Sequence, residues 1–209
     1  MHQLQRGQAP ICLKNFKHGA NNWDDVTHSD KTAIWSALEG MQGRRCAYCE
    51  GPISEGNRHI EHFHQKGRDP TLTFAWDNLF GSCNRKESCG KHKDRCAPYP
   101  PTIPIKPDIE DPERYLVFSP DGSISPRKNI SATEQHRATQ TIRLFNLDQP
   151  LQQTRRREIA GYIQTAEAFA EMAQHFPENE WMPLLQQEIA ATAHLPYATA
   201  IKHVLTRQG

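Results

Sequence analysis

The sequence predicts an α+β fold: one helix, then a small core of strands and a short helix stapled by cysteines, then a proline-rich strap, a β-hairpin and a helical C-terminal region. Three observations predict it. Five of the six cysteines lie between Cys46 and Cys96, as two bracketing pairs and one follower. Between the pairs, Asn57 to His64 alternates polar and apolar residues, the period of a strand. From Ser131 onwards apolar residues recur at three- and four-residue spacing, the period of helices. The expected organisation is an N-terminal segment over 1–28, the cysteine-stapled core with its strap and hairpin over 29–130, and a helical region over 131–209.

Bulk properties narrow the setting. A hydrophobic fraction of 36%, a mean hydropathy of −0.77 and a net charge of +1 describe a polar chain without the overall basicity of a dedicated nucleic-acid binder. A local basic surface stays compatible with these values. No run approaches a membrane span, and the first residues lack the apolar stretch of a secretory signal. The predicted setting is a reducing cytoplasm, where paired cysteines hold metal more often than each other.

Residues 1–27 are polar and broken by Pro10, Gly19 and Asn21-Asn22, so a wrapping segment is expected, anchored by Trp23 and Val26. Ser29 to Met41 reads as a helix, with Ile34, Ala37, Leu38 and Met41 on one stripe, Ser29 or Asp30 as N-cap and Gly40 or Gly43 as stop. Cys46-Ala47-Tyr48-Cys49 before Gly51-Pro52 is a turn that places two sulfurs on one side. Cys83 and Cys89 complete four ligands, the number in a closed structural zinc site, although Cys96 can replace Cys89 in the count. Cys12 reads as a buried free thiol.

The strand near Ile60 is expected to pair with the segment around Phe74-Ala75-Trp76, across the basic loop 65–70. On a regular strand Glu61 and His62 point to opposite faces, so a bend is expected there if both serve one site. A short helix is expected after Cys89. The prolines from Pro98 to Pro112 forbid helix and predict a strap. Tyr115 to Phe118, Pro120-Asp121-Gly122 and Ser123-Ile124 read as a hairpin. Ser131-Ala132-Thr133-Glu134 is a capping box, followed by helices reaching about Phe145, from Leu151 to Phe176, from Trp181 to Ala193 and from Tyr197 to Leu205. Arg155-Arg156-Arg157 reads as a solvated charge run, with phosphate contact as its second reading.

The strings CAYCE, HIEHFHQK, FAWDNLFGSC and CGKHKD occur in the order Cys pair, acid–histidine, asparagine, Cys pair. Together they resemble the HNH nucleases that act with an ATPase in Septu-type and retron-associated anti-phage systems, the PtuB-like proteins. The similarity extends through IKPDIEDPERYLVF, DGSISP and TIRLFNLD, and covers roughly residues 23–160. It implies a zinc-stapled ββα-metal core and a metal-dependent endonuclease. It also implies an ABC-type ATPase partner and, in some systems, a retron reverse transcriptase with its RNA–DNA product.

Carried over by position, Glu61-His62 matches the acid–histidine pair and Asn78 the central asparagine. Hydrolysis of a phosphodiester needs a base for the attacking water and a cation for the developing charge. His62 suits the base, Glu61 suits magnesium or manganese as a hard oxygen ligand, and Asn78 suits a positioning role. Two departures stand out: Gly90 follows Cys89 where a histidine is expected, and Gln65 stands where a proline is common. The second metal ligand is therefore open between His92 and Asp94, with His64 a further site candidate. Arg85, Lys86, Lys91 and Lys93 are expected to contact nucleic-acid phosphates. DNA and RNA (tRNA included) both remain as substrates, and a non-catalytic zinc module that binds nucleic acid or protein is the alternative reading.

Overall fold

A computed structural model describes residues 1–207. Helix α1 (His28–Gln42) starts one residue before the expected stretch, because Thr27 and not Ser29 or Asp30 is its cap. The Asp30 amide donates to the Thr27 hydroxyl and the Thr27 amide to the Asp30 carboxylate, at 3.2 and 3.1 Å, a reciprocal capping box. Gly43, at φ 64°, stops the helix as expected. Ile34 and Leu38 turn inward and are fully buried.

The core sheet is antiparallel: β1 (Arg58–His62) pairs with β2 (Leu79–Cys83), from Arg58 opposite Cys83 to His62 opposite Leu79. The partner strand is therefore not the Phe74–Trp76 segment. Residues 70–78 are folded into 3₁₀ turns instead, the first begun by Pro70 behind an Asp69 cap whose carboxylate accepts from the Thr71 amide. The outer edge of β2 is satisfied by a side chain of α1. Gln42, itself buried, accepts from the Gly81 amide at 2.9 Å and donates to its carbonyl at 2.8 Å, imitating a third strand. A side chain at Gly81 would lie 2.7 Å from that amide, which is why this close approach needs glycine.

Helix α2 (Cys89–Lys93) follows, then the strap, which contains no helix or strand between residues 97 and 111. It is tied from both sides, by the Leu4 amide to the Pro107 carbonyl (2.7 Å) and by the Ile105 amide to the Thr141 hydroxyl (2.9 Å). Strands β3 (Leu116–Phe118) and β4 (Ile124–Pro126) form the expected hairpin. Helices α3 (Ala132–Phe145), α4 (Gln149–His175), α5 (Glu178–Thr192) and α6 (Ala198–Leu205) complete the chain, α3 opening on the expected Ser131–Glu134 capping box. Among the described residues, no helix is long and apolar enough to cross a membrane.

The Arg155–Arg157 run is not uniformly solvated. Arg155 is buried, and its guanidinium donates to the carbonyls of Gly122 and Leu147 at 2.7 and 2.5 Å, locking the hairpin turn onto α4. One buried core runs from Met1 through Cys46, Phe80 and Phe145 to Leu205, and a smaller one gathers Leu13, Val26, Ile34, Leu38, Phe74 and Leu79. The C-terminal helices reach back to the cysteine turn. Arg45 donates to the carbonyls of Ala193 and Leu195, and buried Glu50 accepts from the Thr199 amide at 3.0 Å. The second Glu50 oxygen pairs with the Met1 ammonium at 2.5 Å.

Candidate active site and metal centre

Cys46, Cys49, Cys83 and Cys89 are buried with their ligand atoms within 4.8 Å of one another, the one such cluster of potential ligands among the described residues. Three elements bring them together. Cys46 and Cys49 sit in a turn closed by the Cys46 amide to the Gly51 carbonyl (2.8 Å) and the Glu50 amide to the Cys46 carbonyl (3.0 Å). Cys83 ends β2, and Cys89 begins α2 in the left-handed region at φ 56°. The Gly51 amide points at the Cys49 sulfur at 3.3 Å. Burial opposes ionisation of the thiols, yet hydrogen bonds from the other three hold Cys46 well below the usual value, while burial holds Cys89 well above it. Four mutually accessible sulfurs are the donor set of a closed zinc site, and metal would deprotonate them together. Cys96 is excluded from the set: its sulfur lies against the His92 ring (3.8 Å) and carbonyl instead. Cys12 is half-buried, its sulfur 3.8 Å from the Asp30 carbonyl.

Strand β1 runs without a bulge past Glu61 and His62, so the expected bend is absent and the two side chains leave opposite faces. On one face Glu61 is buried beside α2. Its carboxylate meets the His59 ring at 3.0 Å and the Lys93 ammonium at 2.5 Å. Burial pushes the Glu61 carboxyl up, but His59 and Lys93 prevail and hold it below the usual carboxylate value. Gly90 permits this packing, since a Cβ there would stand 2.3 Å from a Glu61 oxygen.

Lys93 is thus not on the nucleic-acid surface. It is fully buried, and besides Glu61 its ammonium meets the carbonyls of His62 (2.5 Å) and Phe63 (3.1 Å) and the Asp94 carboxylate (3.1 Å). The reason lies in the helix period: four residues after Cys89, Lys93 shares the inward face that the cysteine anchors. Two carboxylates and two backbone carbonyls thus surround one buried ammonium. Of the two candidates for a second ligand, Asp94 shares that cation with Glu61. His92 turns away, donating from Nδ1 to the Leu144 carbonyl at 3.0 Å.

On the opposite face His62 is 8% exposed. Its Nε2 lies 3.0 Å from the Thr73 carbonyl, and Trp23 meets the ring edge-on at 4.5 Å between centroids. A carbonyl only accepts, so Nε2 carries the proton and Nδ1 is the basic nitrogen. Burial outweighs the Thr73 carbonyl and holds the His62 pKa below the ordinary histidine value, leaving the ring neutral at pH 7. Asn78 clamps the loop after His62 at both ends: it accepts from the His64 amide (2.7 Å) and donates to the carbonyls of His64 (3.0 Å) and Leu72 (3.1 Å).

His64 is half-buried and lines a separate hollow with Arg68 and Tyr99. Arg85, Lys86 and Lys91 are exposed on the turn and helix beyond β2. Sequence reasoning missed Thr73, whose contribution is a backbone carbonyl, and Trp23, which it read only as an apolar anchor.

No protein-family model matches the chain. Over 179 residues it is 33% identical to the "Retron Vc95 putative HNH endonuclease" of Vibrio cholerae serotype O1 biovar El Tor, covering 78% of this chain and 84% of that protein. It is also 27% identical over 117 residues to the Septu protein PtuB of Bacillus thuringiensis, covering 54% of this chain and 41% of that protein. With the four-cysteine cluster beside an acid–histidine strand, this makes the chain a nuclease of the HNH class. It belongs to the PtuB-like HNH endonucleases of anti-phage defence systems.

Proposed function

We propose that the chain is a metal-dependent effector endonuclease whose β1, β2 and α2 form a ββα-metal core with His62 as general base. The observation that carries this reading is the bond from His62 Nε2 to the Thr73 carbonyl, which fixes the tautomer and leaves Nδ1 unprotonated beside the surface. In the reaction, Nδ1 takes the proton of a water as its oxygen joins phosphorus, and the bond from phosphorus to the leaving sugar oxygen breaks. Asn78 holds the loop that follows the base. Lys66, exposed on that loop and close enough to act on His62 electrostatically, is a phosphate contact, as are Arg85, Lys86 and Lys91. A magnesium or manganese ion would be held by Glu61 with Asp94, in place of the Lys93 ammonium, and would supply the cation that phosphodiester hydrolysis needs.

DNA is the first substrate to test and RNA the second. The partner is an ABC-type ATPase, with a retron reverse transcriptase and its RNA–DNA product where the system carries one. Its docking surface lies on the C-terminal helices, where Phe176 and Leu184 are about half exposed. The test incubates the purified protein, with and without the ATPase encoded beside it, with DNA and tRNA over a range of divalent-ion concentrations. Cleavage that needs the ion and is abolished by His62→Ala, while zinc content and folding stay unchanged, is the expected result. Near-normal cleavage by His62→Ala refutes the base.

A further inference from the structure

We propose that the hollow between residues 18–25 and the loop after His62 is a nucleobase pocket, with Trp23 as its platform, that seats the base of a nucleotide adjoining the scissile phosphate. The proposal rests on the nuclease reading for its substrate and on separate observations for its place. The hollow measures about 510 Å³, within the usual range for small-molecule sites. Two of its lining residues touch the candidate base directly: Thr73 supplies the carbonyl that holds His62, and the Trp23 ring meets the His62 ring at 82° with 4.5 Å between centroids. A ligand there would lie beside the reacting water.

The wall is braced by ring contacts and hydrogen bonds, and its chemistry suits a base. Trp23 ends a stack of three rings, lying 6.2 Å from Phe74 at 26°, with Phe74 in turn 5.3 Å from Phe16 at 21°. The polar wall is held by its own bonds: the Asn21 carbonyl oxygen accepts from the Lys17 amide at 3.0 Å, and the Asp25 carboxylate from the Asn22 amide at 2.7 Å. Asn21 keeps its amide donors, and Asp24 adds an exposed carboxylate acceptor. Two adjacent carboxylates repel a phosphate but accept from the N–H groups of a base edge. Lys66, on the opposite rim, supplies the cation for the neighbouring phosphate.

Stacking on an aromatic platform is worth ~1–3 kcal/mol per base, about 5- to 150-fold in affinity. The test scans a cleaved strand with a single abasic nucleotide at successive positions around the cut. One position next to the cut is expected to lose kcat/KM by that factor in the wild-type protein. Trp23→Ala should lose a similar factor on the intact strand and little more on the strand abasic at that position, while Trp23→Phe keeps most of the activity. Asp24→Ala, a change at an exposed site, should alter base preference at that position alone. Equal abasic penalties in wild type and Trp23→Ala would mean that Trp23 only braces His62, and would overturn the pocket. A second readout needs no cleavage: 2-aminopurine at successive positions of a strand, with His62→Ala protein loaded with zinc and no added magnesium or manganese, should at one position be quenched by a protein with Trp23 and not by one with Trp23→Ala. Quenching dependent on Trp23 without any cleavage by the wild type would sink the catalytic reading and leave the pocket standing. Quenching independent of Trp23 would overturn the pocket.

Discussion

Gly90→Ala places one methyl group in the most crowded spot of the site. The new carbon would stand 2.3 Å from one Glu61 oxygen, 2.5 Å from its carboxyl carbon and 3.0 Å from its Cγ, all inside van der Waals contact. Glu61 is 2% exposed and has no solvent to turn into, so its carboxylate must leave His59 and Lys93. Lys93 would then lose its buried carboxylate and keep only that of Asp94, which is about half exposed, and breaking a buried pair in this way costs ~3–5 kcal/mol. Against this, alanine gains about 1 kcal/mol over glycine as a helix former. The loss outweighs the gain. For a chain of this size ~1 kcal/mol moves Tm by about 2–4 °C, so a net loss of ~2–4 kcal/mol lowers it by roughly 4–16 °C. The controls are Gly40→Ala in α1 and Gly161→Ala in α4, where an added Cβ meets nothing within 4 Å. Both should hold or raise Tm, because they keep the propensity gain and create no overlap. Thermal unfolding of the three variants, with nuclease activity measured alongside, decides the matter. If Gly90→Ala unfolds at the wild-type temperature with unchanged activity, Glu61 does not pack on α2 as described.

Further outcomes follow from the same geometry. Metal analysis should find about one zinc per chain, and Cys46→Ser should lose it and misfold, because structural zinc supplies on the order of 10 kcal/mol in small modules, comparable to a whole domain's net stability. Ending the chain before Tyr197 removes the amide that donates to the Glu50 carbonyl (3.1 Å) and the Thr199 amide on its carboxylate, so zinc content and Tm should fall together. For Glu113, burial opposes ionisation, but His203 and Lys202 bring its pKa down to about 2. A folded-state pKa below the unfolded value of about 4.3 contributes stability present above that pH and lost as pH falls through about 2. Glu113→Gln should cost roughly 1–2 kcal/mol at pH 7, allowing for solvent screening of the pair. Acid unfolding curves of wild type and variant should converge between about pH 4 and 2, and curves that stay parallel would refute the assignment.

Residues whose role is set by covalent spacing were legible in the sequence. The cysteine pairs, the Ser131 capping box and the proline strap announce themselves because local chemistry determines them. The position of β2 did not, since Phe74-Ala75-Trp76 and Leu79-Phe80 are equally apolar runs. What separates them is long-range: Gln42, far upstream, supplies the edge bonds only to Gly81. Lys93 misled for a related reason. Within Lys91-His92-Lys93 it looks like one more solvated charge, and only the anchoring of Cys89 makes position four along the helix an inward one. Arg155 is the same case on α4, a cation drawn inside by backbone carbonyls that composition does not reveal.

The acid–histidine step shows how a simple rule and a wrong inference from it can coexist. Strand alternation put Glu61 and His62 on opposite faces, and the structure keeps them there. The inference that the strand must therefore bend assumed that two side chains serve one site only by converging. Lys93 removes that requirement. Its ammonium reaches the Glu61 carboxylate on one face and the backbone carbonyls of His62 and Phe63 at the end of the strand, and so touches both residues of the pair. Glu61 and His62 are linked by the Lys93 ammonium, which binds the carboxylate of one and the backbone carbonyl of the other, and not by a shared face.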